Sequence, residues 1–287
     1  MSNDPKISIL MNCLNGEEYL KDAISSVINQ TYSNWELIFF NNASTDSSKN
    51  IFYSFNDERL RYFERASTVD IAFARNEALV HADGSWIAIL DVDDIWTHDK
   101  LEQQICALKN NSAENPKVIF SRCEVVLDNN IVNMNQDFFA ERVFEDLLSL
   151  ELSVPWSSVL IEKETFFSLN GFDITYPSAH DLDFLIRCAK DNNFLFVDRN
   201  LVSIRDHKKS LTNLNKNNNG AYYFEIISVL EPYLESDAAV HGTSKMRLSY
   251  LYLLIKNIKI YSFLMNFYKV SYKEFSYFPR IFWNKFF

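Results

Sequence analysis

The residues with the most chemical potential in this 287-residue chain are Asp91-Val92-Asp93-Asp94. They follow directly on Ile87-Ala88-Ile89-Leu90, an apolar run of the kind that forms a buried strand. Carboxylates packed this closely repel one another, and no structural need calls for them. A hard divalent cation relieves the repulsion, keeps some of its waters and bridges substrate phosphates. If the backbone stays extended, Asp91 and Asp93 point to the same face. The competing reading is a solvated acidic turn that caps the next helix. A bare Asp-x-Asp does not decide between them, so the surrounding elements must.

Those elements alternate. Ile7–Met11 reads as a strand, and Tyr19, Leu20, Ala23, Ile24, Val27 and Ile28 then recur at helical spacing. Trp35–Phe40 is a second strand, with a helix start at Ser44-Thr45-Asp46 behind it. Leu60–Phe63 follows, then a helix face of Ile71, Ala74, Ala78 and Ala82, then a strand at Trp86–Leu90. Strands separated by helices imply right-handed crossovers and an α/β fold, with a mostly parallel central sheet flanked by helices. Ligands are expected at the carboxyl ends of such strands, where the acidic cluster lies. Val118–Leu127 and Asn130–Val132 flank a turn at Asp128-Asn129-Asn130; Ser157–Ile161, Phe194–Val197 and Leu201–Ile204 are further strand candidates. A helix is expected from about His180 to Lys190. After Asn213 comes a polar break, Asn215-Lys216-Asn217-Asn218-Asn219-Gly220, and then Leu-, Tyr- and Phe-rich helices. The expected domains are 1–213, in halves of about 1–127 and 128–213, and a helical region 214–287.

Several segments carry a resemblance. Ile7-Ser8-Ile9 leads into Leu14-Asn15-Gly16-Glu17-Glu18-Tyr19-Leu20, and Asn29-Gln30-Thr31-Tyr32 precedes Trp35-Glu36-Leu37-Ile38. Ala74-Arg75-Asn76 and Ala82-Asp83-Gly84-Ser85-Trp86-Ile87 precede the acidic cluster; Gly171-Phe172-Asp173 and Ala179-His180-Asp181-Leu182-Asp183 come later. In this order, over roughly residues 6–212, they resemble the family 2 glycosyltransferases of the GT-A fold. The resemblance implies a GT-A-type nucleotide-binding fold with a helical C-terminal appendage. Residues 1–127 would bind the donor and 128–213 the acceptor. The implied reaction is inverting transfer of a sugar from a nucleoside-diphosphate sugar, UDP-sugar favoured, to a hydroxyl of a glycan or lipid-linked glycan. Bacterial surface-polysaccharide synthesis (lipopolysaccharide or capsule) is the implied setting.

Residue roles follow from the same resemblance. Asp93 would hold Mn²⁺ or Mg²⁺ against the donor diphosphate, with Asp91 at the ribose or in the metal shell. His207, within Arg205-Asp206-His207, would be a further metal ligand, because imidazole can join carboxylates around Mn²⁺. Asn15, Glu17, Asn41, Asn42 and Arg75 would serve the nucleotide. Asp181 matches the position of the general base, with Asp183 as its fallback, and Trp156 and His180 fall on the acceptor side. Bland alternatives stand beside these: a surface arginine, helix N-terminal carboxylates, a lone surface histidine, a core tryptophan.

Two departures bear on the function. Asn41-Asn42-Ala43-Ser44-Thr45-Asp46 stands where the family commonly has Asp-Asp-Gly-Ser-Thr-Asp, and His180 replaces the usual Glu. An asparagine amide can still accept from a uracil N–H. These changes keep open a different class, a non-catalytic nucleotide-sugar-binding or assembly subunit. A nucleotidyltransferase ranks last, since it would want a basic, Gly-rich loop where Cys13-Leu14-Asn15-Gly16-Glu17-Glu18 is acidic.

Composition sets limits. Hydrophobic residues make up 47% and Gly and Pro number only 5 and 6, which argues for a packed core over disorder. From Lys245 onward eight Lys/Arg face a single acidic residue, Glu274, so this stretch carries +7 of a formal −10 and the rest −17. An acidic body excludes nucleic acid as a partner. The basic aromatic tail (Lys256, Lys259, Lys269, Lys273, Arg280, Trp283, Lys285, Phe286, Phe287) suits an anionic membrane surface. The same positions could instead bury against the catalytic domain or a second copy of the chain. Four scattered cysteines form no Cys-x-x-Cys and point to a reducing compartment. With no signal segment at Met1–Pro5 and no spanning apolar run, the expected location is cytoplasmic, or peripheral on the inner face of the cytoplasmic membrane.

Overall fold

The structure is a computed structural model and describes residues 4–127, 130–134, 138–210 and 221–256. The expected turn at Asp128-Asn129, the polar break at 215–220 and the tail beyond Lys256 lie outside the described residues.

The chain divides into two compact units, Met1–Glu141 with Val154–Ser210, and Arg142–Ser153 with Leu211–Phe287. In the first, the elements run β1 (Ile7–Cys13), α1 (Leu20–Ile28), β2 (Trp35–Asn41), α2 (Ser48–Tyr53), β3 (Leu60–Glu64), α3 (Ile71–Leu79) and β4 (Trp86–Ile89). There follow β5 (Ile95–Trp96), α4 (Lys100–Asn110), β6 (Val118–Leu127) and β7 (Asn130–Asn133). The second unit supplies α5 (Val143–Leu148). The first resumes with β8 (Leu160–Glu162), α6 (Lys163–Ser168), α7 (His180–Ala189) and β9 (Phe194–Arg205).

Among the described residues the sheet order is β3-β2-β1-β4-β8-β6-β9-β5, with β7 on the far side of β6. The first four strands are all parallel, as right-handed β-α-β crossovers require. Every residue of β2 is buried, the mark of a strand covered on both faces. Beyond β4 the sheet becomes mixed. β8 is antiparallel to both neighbours, β6 and β9 are parallel, and β5 adds an antiparallel edge. The architecture is α/β, as the alternation of strands and helices implies.

Some local expectations change. Trp156–Ser158 is a turn of 3₁₀ helix, and the strand begins only at Leu160. The Ser158 hydroxyl donates to the Pro155 carbonyl at 2.6 Å, the kind of local bond that competes with a strand ladder. Phe194–Val197 and Leu201–Ile204 are one strand: Ser121 pairs with Val197 but Arg122 with Asn200, so Asp198 and Arg199 bulge out.

A polar knot closes the amino-terminal end of the parallel strands. The buried Glu36 accepts from the Ser8 hydroxyl at 2.6 Å, from Arg61 at 2.6 Å and from the Asp83 N–H at 2.8 Å. Gly84 is required beside it, because a β-carbon there would sit 2.6 Å from both the Lys6 carbonyl and the Ser8 nitrogen. This end is fixed; the acidic cluster lies at the opposite end.

The described residues of the second unit are mainly helical. α5 is joined there by α8 (Ala221–Leu230), a 3₁₀ turn at Glu231–Tyr233, and α9 (Asp237–Lys256). Gly242 lets α9 press on the end of α5: a β-carbon at that position would fall 2.1 Å from the Leu148 carbonyl oxygen. Lys245 pairs with Glu151 at 2.5 Å across the same contact.

Candidate functional site

The site is built at the carboxyl ends of β1, β2 and β4. The loops after β1 and β2 are bonded into one wall. The Asn15 N–H donates to the Ser44 hydroxyl and the Asn15 side-chain oxygen accepts from the Thr45 N–H, both at 2.9 Å. The Glu17 N–H donates to Asp46, and the Glu17 carboxylate accepts from the Ser47 N–H, again at 2.9 Å. The side chains of Asn15 and Glu17 thus brace the loop that follows β2. Asn41 and Asn42 are both buried. Asn41 donates to the Tyr62 hydroxyl at 2.8 Å and accepts from the Ser44 N–H at 2.9 Å. The Asn42 amide is matched twice to one residue, donating to the Val69 carbonyl at 2.7 Å and accepting from its N–H at 3.0 Å. A carboxylate could make only the second of these bonds.

The acidic cluster is a turn, closed by the Asp94 N–H on the Asp91 carbonyl at 3.1 Å. A common face for Asp91 and Asp93 required an extended backbone, so it is not realised. The three carboxylates diverge. Asp91 receives Arg75 Nη2 at 2.6 Å. Asp93 meets His207 Nε2 at 3.0 Å. Asp94 turns inward to the Ser157 hydroxyl at 2.5 Å and the Arg205 N–H at 3.3 Å. Burial and the charge of Asp91 push the Asp93 carboxyl above its usual range, against the pull of His207.

Arg75 is buried, and its other terminal nitrogen lies 2.8 Å from His180 Nε2. Since the guanidinium can only donate, His180 accepts at Nε2 and is neutral; burial and Arg75 hold its pKa down at about 3. One arginine therefore joins the acidic turn to the first turn of α7. Asn76, beside it, binds the Phe172 backbone both ways, at 2.8 and 2.9 Å, and fixes the Gly171-Phe172 loop ahead of α7.

In α7, Asp181 is half-buried and accepts a short-range bond from the Leu182 N–H at 2.8 Å. Burial pushes its carboxyl up, while the Leu182 N–H and Arg75 pull it down. Asp183 is engaged differently. It holds Arg187 at 2.6 Å, and Arg187 in turn donates to the carbonyls of Leu169 and Gly171. Trp156 is buried, with its ring edge-on to Phe172 and Phe184 at centroid distances of 5.0 and 5.7 Å.

Opposite, His207 packs on the Tyr19 ring at 4.8 Å, and Arg205 bonds Asp22 at 2.7 Å. Sequence reading missed this contact between α1 and the end of β9. The opposed charges of Glu18 and Asp22 against Arg205 and Lys209 were its available signal. Several buried polar atoms have no partner among the described residues: both amide atoms of Asn12, Nε of Arg75, Nε1 of Trp156 and Nη1 of Arg205. A polar ligand or water would satisfy them.

A metal can be tested against these groups. Among the described residues no three His, Cys, Asp or Glu side chains are gathered closely enough to hold an ion by themselves. Asp93 and His207 do form an oxygen–nitrogen pair, and a cation would offset the burial and the Asp91 charge that disfavour an ionised Asp93. Two protein ligands with phosphates and waters completing the shell fit a hard cation that bridges substrate phosphates.

Comparison with known proteins bears on the family and on the GT-A fold. The sequence model of the family described as "Glycosyl transferase family 2" matches residues 8–157. The UDP-Glc:alpha-D-GlcNAc-diphosphoundecaprenol beta-1,3-glucosyltransferase WfgD of Escherichia coli is 31% identical over 197 residues, covering 68% of this chain and 74% of WfgD. The putative teichuronic acid biosynthesis glycosyltransferase TuaG of Bacillus subtilis is 36% identical over 103 residues, 35% of this chain and 41% of its own length. Residues 1–349 of S. aureus TarS in complex with UDP-GlcNAc superpose with a TM-score of 0.65 at 14% identity, covering 93% of this chain and 73% of that one. The mannosyltransferase PcManGT from Pyrobaculum calidifontis, in complex with GDP-Man and Mn²⁺, gives 0.63 at 15% identity, with 88% and 73% covered. The chain belongs to glycosyl transferase family 2.

Proposed function

We propose that this glycosyltransferase moves a sugar, with inversion, from a UDP-sugar to a hydroxyl of a glycan or lipid-linked glycan. The observation that carries the proposal is the Asp91–Arg75–His180 bridge, which joins the acidic turn to the start of the helix bearing Asp181. The donor and acceptor specificity of WfgD and the UDP-sugar bound to TarS support the choice of nucleotide and acceptor class. Among the described residues no helix is long and apolar enough to cross a membrane, so a lipid-linked acceptor would be met at the membrane surface, with the basic tail as the proposed contact.

In this reading residues 1–127 hold the donor and 128–213 the acceptor. Asp93 and His207 would hold Mn²⁺ or Mg²⁺, whose charge offsets that of the departing diphosphate. Arg75 orients Asp91 toward the donor. Asp181 takes the proton of the acceptor hydroxyl as that oxygen attacks the anomeric carbon. Asp181 is favoured over Asp183 because Asp183 is already held by Arg187. Trp156 and its aromatic neighbours form the floor beneath α7 on the acceptor side.

The test is a panel of nucleotide sugars with Mn²⁺, following released nucleoside diphosphate with and without lipid-linked and free glycan acceptors. Turnover that disappears in Asp93→Ala and Asp181→Ala supports the enzyme. Tight donor binding without turnover across the panel would support the assembly-subunit reading instead.

A further inference from the structure

We propose that Asp94 is a positioning residue for the donor site: with Ser157 it fixes the acidic turn from behind and brings Asp93 to His207. The proposal rests on the donor-site reading above. Asp94 belongs to the acidic cluster by sequence, yet both its oxygens face protein. One accepts from the Ser157 hydroxyl at 2.5 Å and the other from the Arg205 N–H at 3.3 Å. The Ser157 hydroxyl also accepts from the Asp91 N–H at 3.2 Å. A single hydroxyl therefore holds the first and last residues of the turn. Arg205 precedes His207 by two positions, so the bond from its N–H to Asp94 sets where the end of β9 passes the turn.

Ser157 is itself fixed by an enclosed network. Its carbonyl accepts from Trp96 Nε1 at 2.7 Å, and the neighbouring Ser158 carbonyl accepts from Gln104 Nε2 at 2.7 Å. Gln104 Oε1 accepts from Lys100 Nζ at 2.8 Å, and that nitrogen lies 4.0 Å from the Trp96 ring centre. Lys100, Gln104, Ser157 and Ser158 are all fully buried. Apolar side chains would fill this space at less desolvation cost. A connected polar network instead admits few arrangements, which is what a site needing fixed ligand geometry requires. Groups that orient metal ligands typically matter by about 10- to 100-fold in affinity.

The experiment measures UDP binding to the full chain by calorimetry, with and without Mn²⁺, in wild type, Asp94→Asn, Ser157→Ala, Asp93→Asn and His207→Ala, and in Asp94→Asn combined with His207→Ala. Asp94→Asn and Ser157→Ala are both expected to weaken Mn²⁺-dependent binding about tenfold while leaving metal-free binding in place. Asp93→Asn should abolish the Mn²⁺ effect altogether. In the Asp94→Asn background, His207→Ala should cost little more, because the pair is already displaced. Wild-type affinity in Asp94→Asn and Ser157→Ala would overturn the proposal. So would full loss of the Mn²⁺ effect in Asp94→Asn, which would make Asp94 a ligand, or losses that multiply in the double variant. If wild type binds UDP equally with and without Mn²⁺, the metal reading fails by itself. The same double-variant comparison in thermal unfolding then decides the present point, and additive losses there would overturn it.

Discussion

Arg75 Nη1 lies 2.8 Å from His180 Nε2, across a sequence separation of 105 residues, in a pair buried from solvent. His180 is neutral, and the ion pair that Arg75 makes is with Asp91 at 2.6 Å. The arginine is a strut with two ends, one on the acidic turn and one on the first turn of α7. Arg75→Lys keeps the charge but cannot span both ends. A fall in kcat/KM of about 10- to 100-fold is expected, as for other groups that orient a site. His180→Gln, which offers an acceptor oxygen, should retain more activity than His180→Ala, which leaves a buried N–H unpaired at a cost of about 1–3 kcal/mol. Steady-state kinetics and thermal melts of the three variants check this.

Asp181 couples activity to stability with opposite signs. Burial raises its carboxyl above the ordinary Asp value of 3.8. The folded state therefore binds this proton more tightly than the unfolded chain does, and stability falls as pH rises from the ordinary value through the folded one. At neutral pH the charged form is a net burden on the fold. Asp181→Asn should lower turnover by about 10²- to 10⁴-fold, as loss of a general base does, yet melt at a higher temperature than wild type at pH 7. That gain should vanish in acid, where both states are protonated. Melting curves across pH, set beside nucleoside diphosphate release, give the answer; a lower melting temperature at pH 7 would contradict the assignment of a desolvated base.

The parallel half of the fold was readable because its signals are local. The apolar run Leu37–Phe40 in β2 and the helical spacing of Leu20, Ala23, Ile24 and Val27 each lie within one element. The site was readable as a set of residues but not as an arrangement. Asp94 turns away from its neighbours because of Ser157, 63 positions on, and Asn42 binds Val69, 27 positions on. Nothing in the spacing of the acidic cluster states where those partners will be. Asp183 is the instructive exception. Its ion pair with Arg187 is a plain i,i+4 contact visible in the sequence, and it supplies a physical reason for Asp183 standing only as the fallback to Asp181.

The knot at Glu36 gives the fold an acid-sensitive point far from the chemistry. Burial alone would raise this carboxyl, but Ser8, Arg61, the Asp83 N–H and Lys6 together hold it down at about 2. A depressed folded-state pKa means that the stabilisation is present above the ordinary value of 4.5 and is lost as pH falls toward 2. Arg61 and Lys6 are a third or more exposed, which screens their share. Glu36→Gln is therefore expected to cost roughly 2 kcal/mol at pH 7 and much less near pH 2.5. Urea unfolding at the two pH values measures the difference.

Ala43 adopts a φ of 61°, the left-handed region, in the loop whose family counterpart carries glycine. For an alanine this conformation costs about 1–2 kcal/mol. The loop leaves it no alternative. On one side the Ser44 N–H is held by the Asn41 side chain at 2.9 Å, and on the other the Asn42 amide is bound to the Val69 backbone at both ends. Ala43→Gly removes the strain but returns about 0.5–1 kcal/mol of backbone entropy to the unfolded chain. The net expectation is a stabilisation of roughly 0.5–1 kcal/mol by urea unfolding. Because the neighbouring bonds already fix the loop, donor KM should move less than twofold. A large rise in KM at unchanged or higher stability would mean that the alanine methyl itself helps to shape the nucleotide wall, and that the strain is retained for binding.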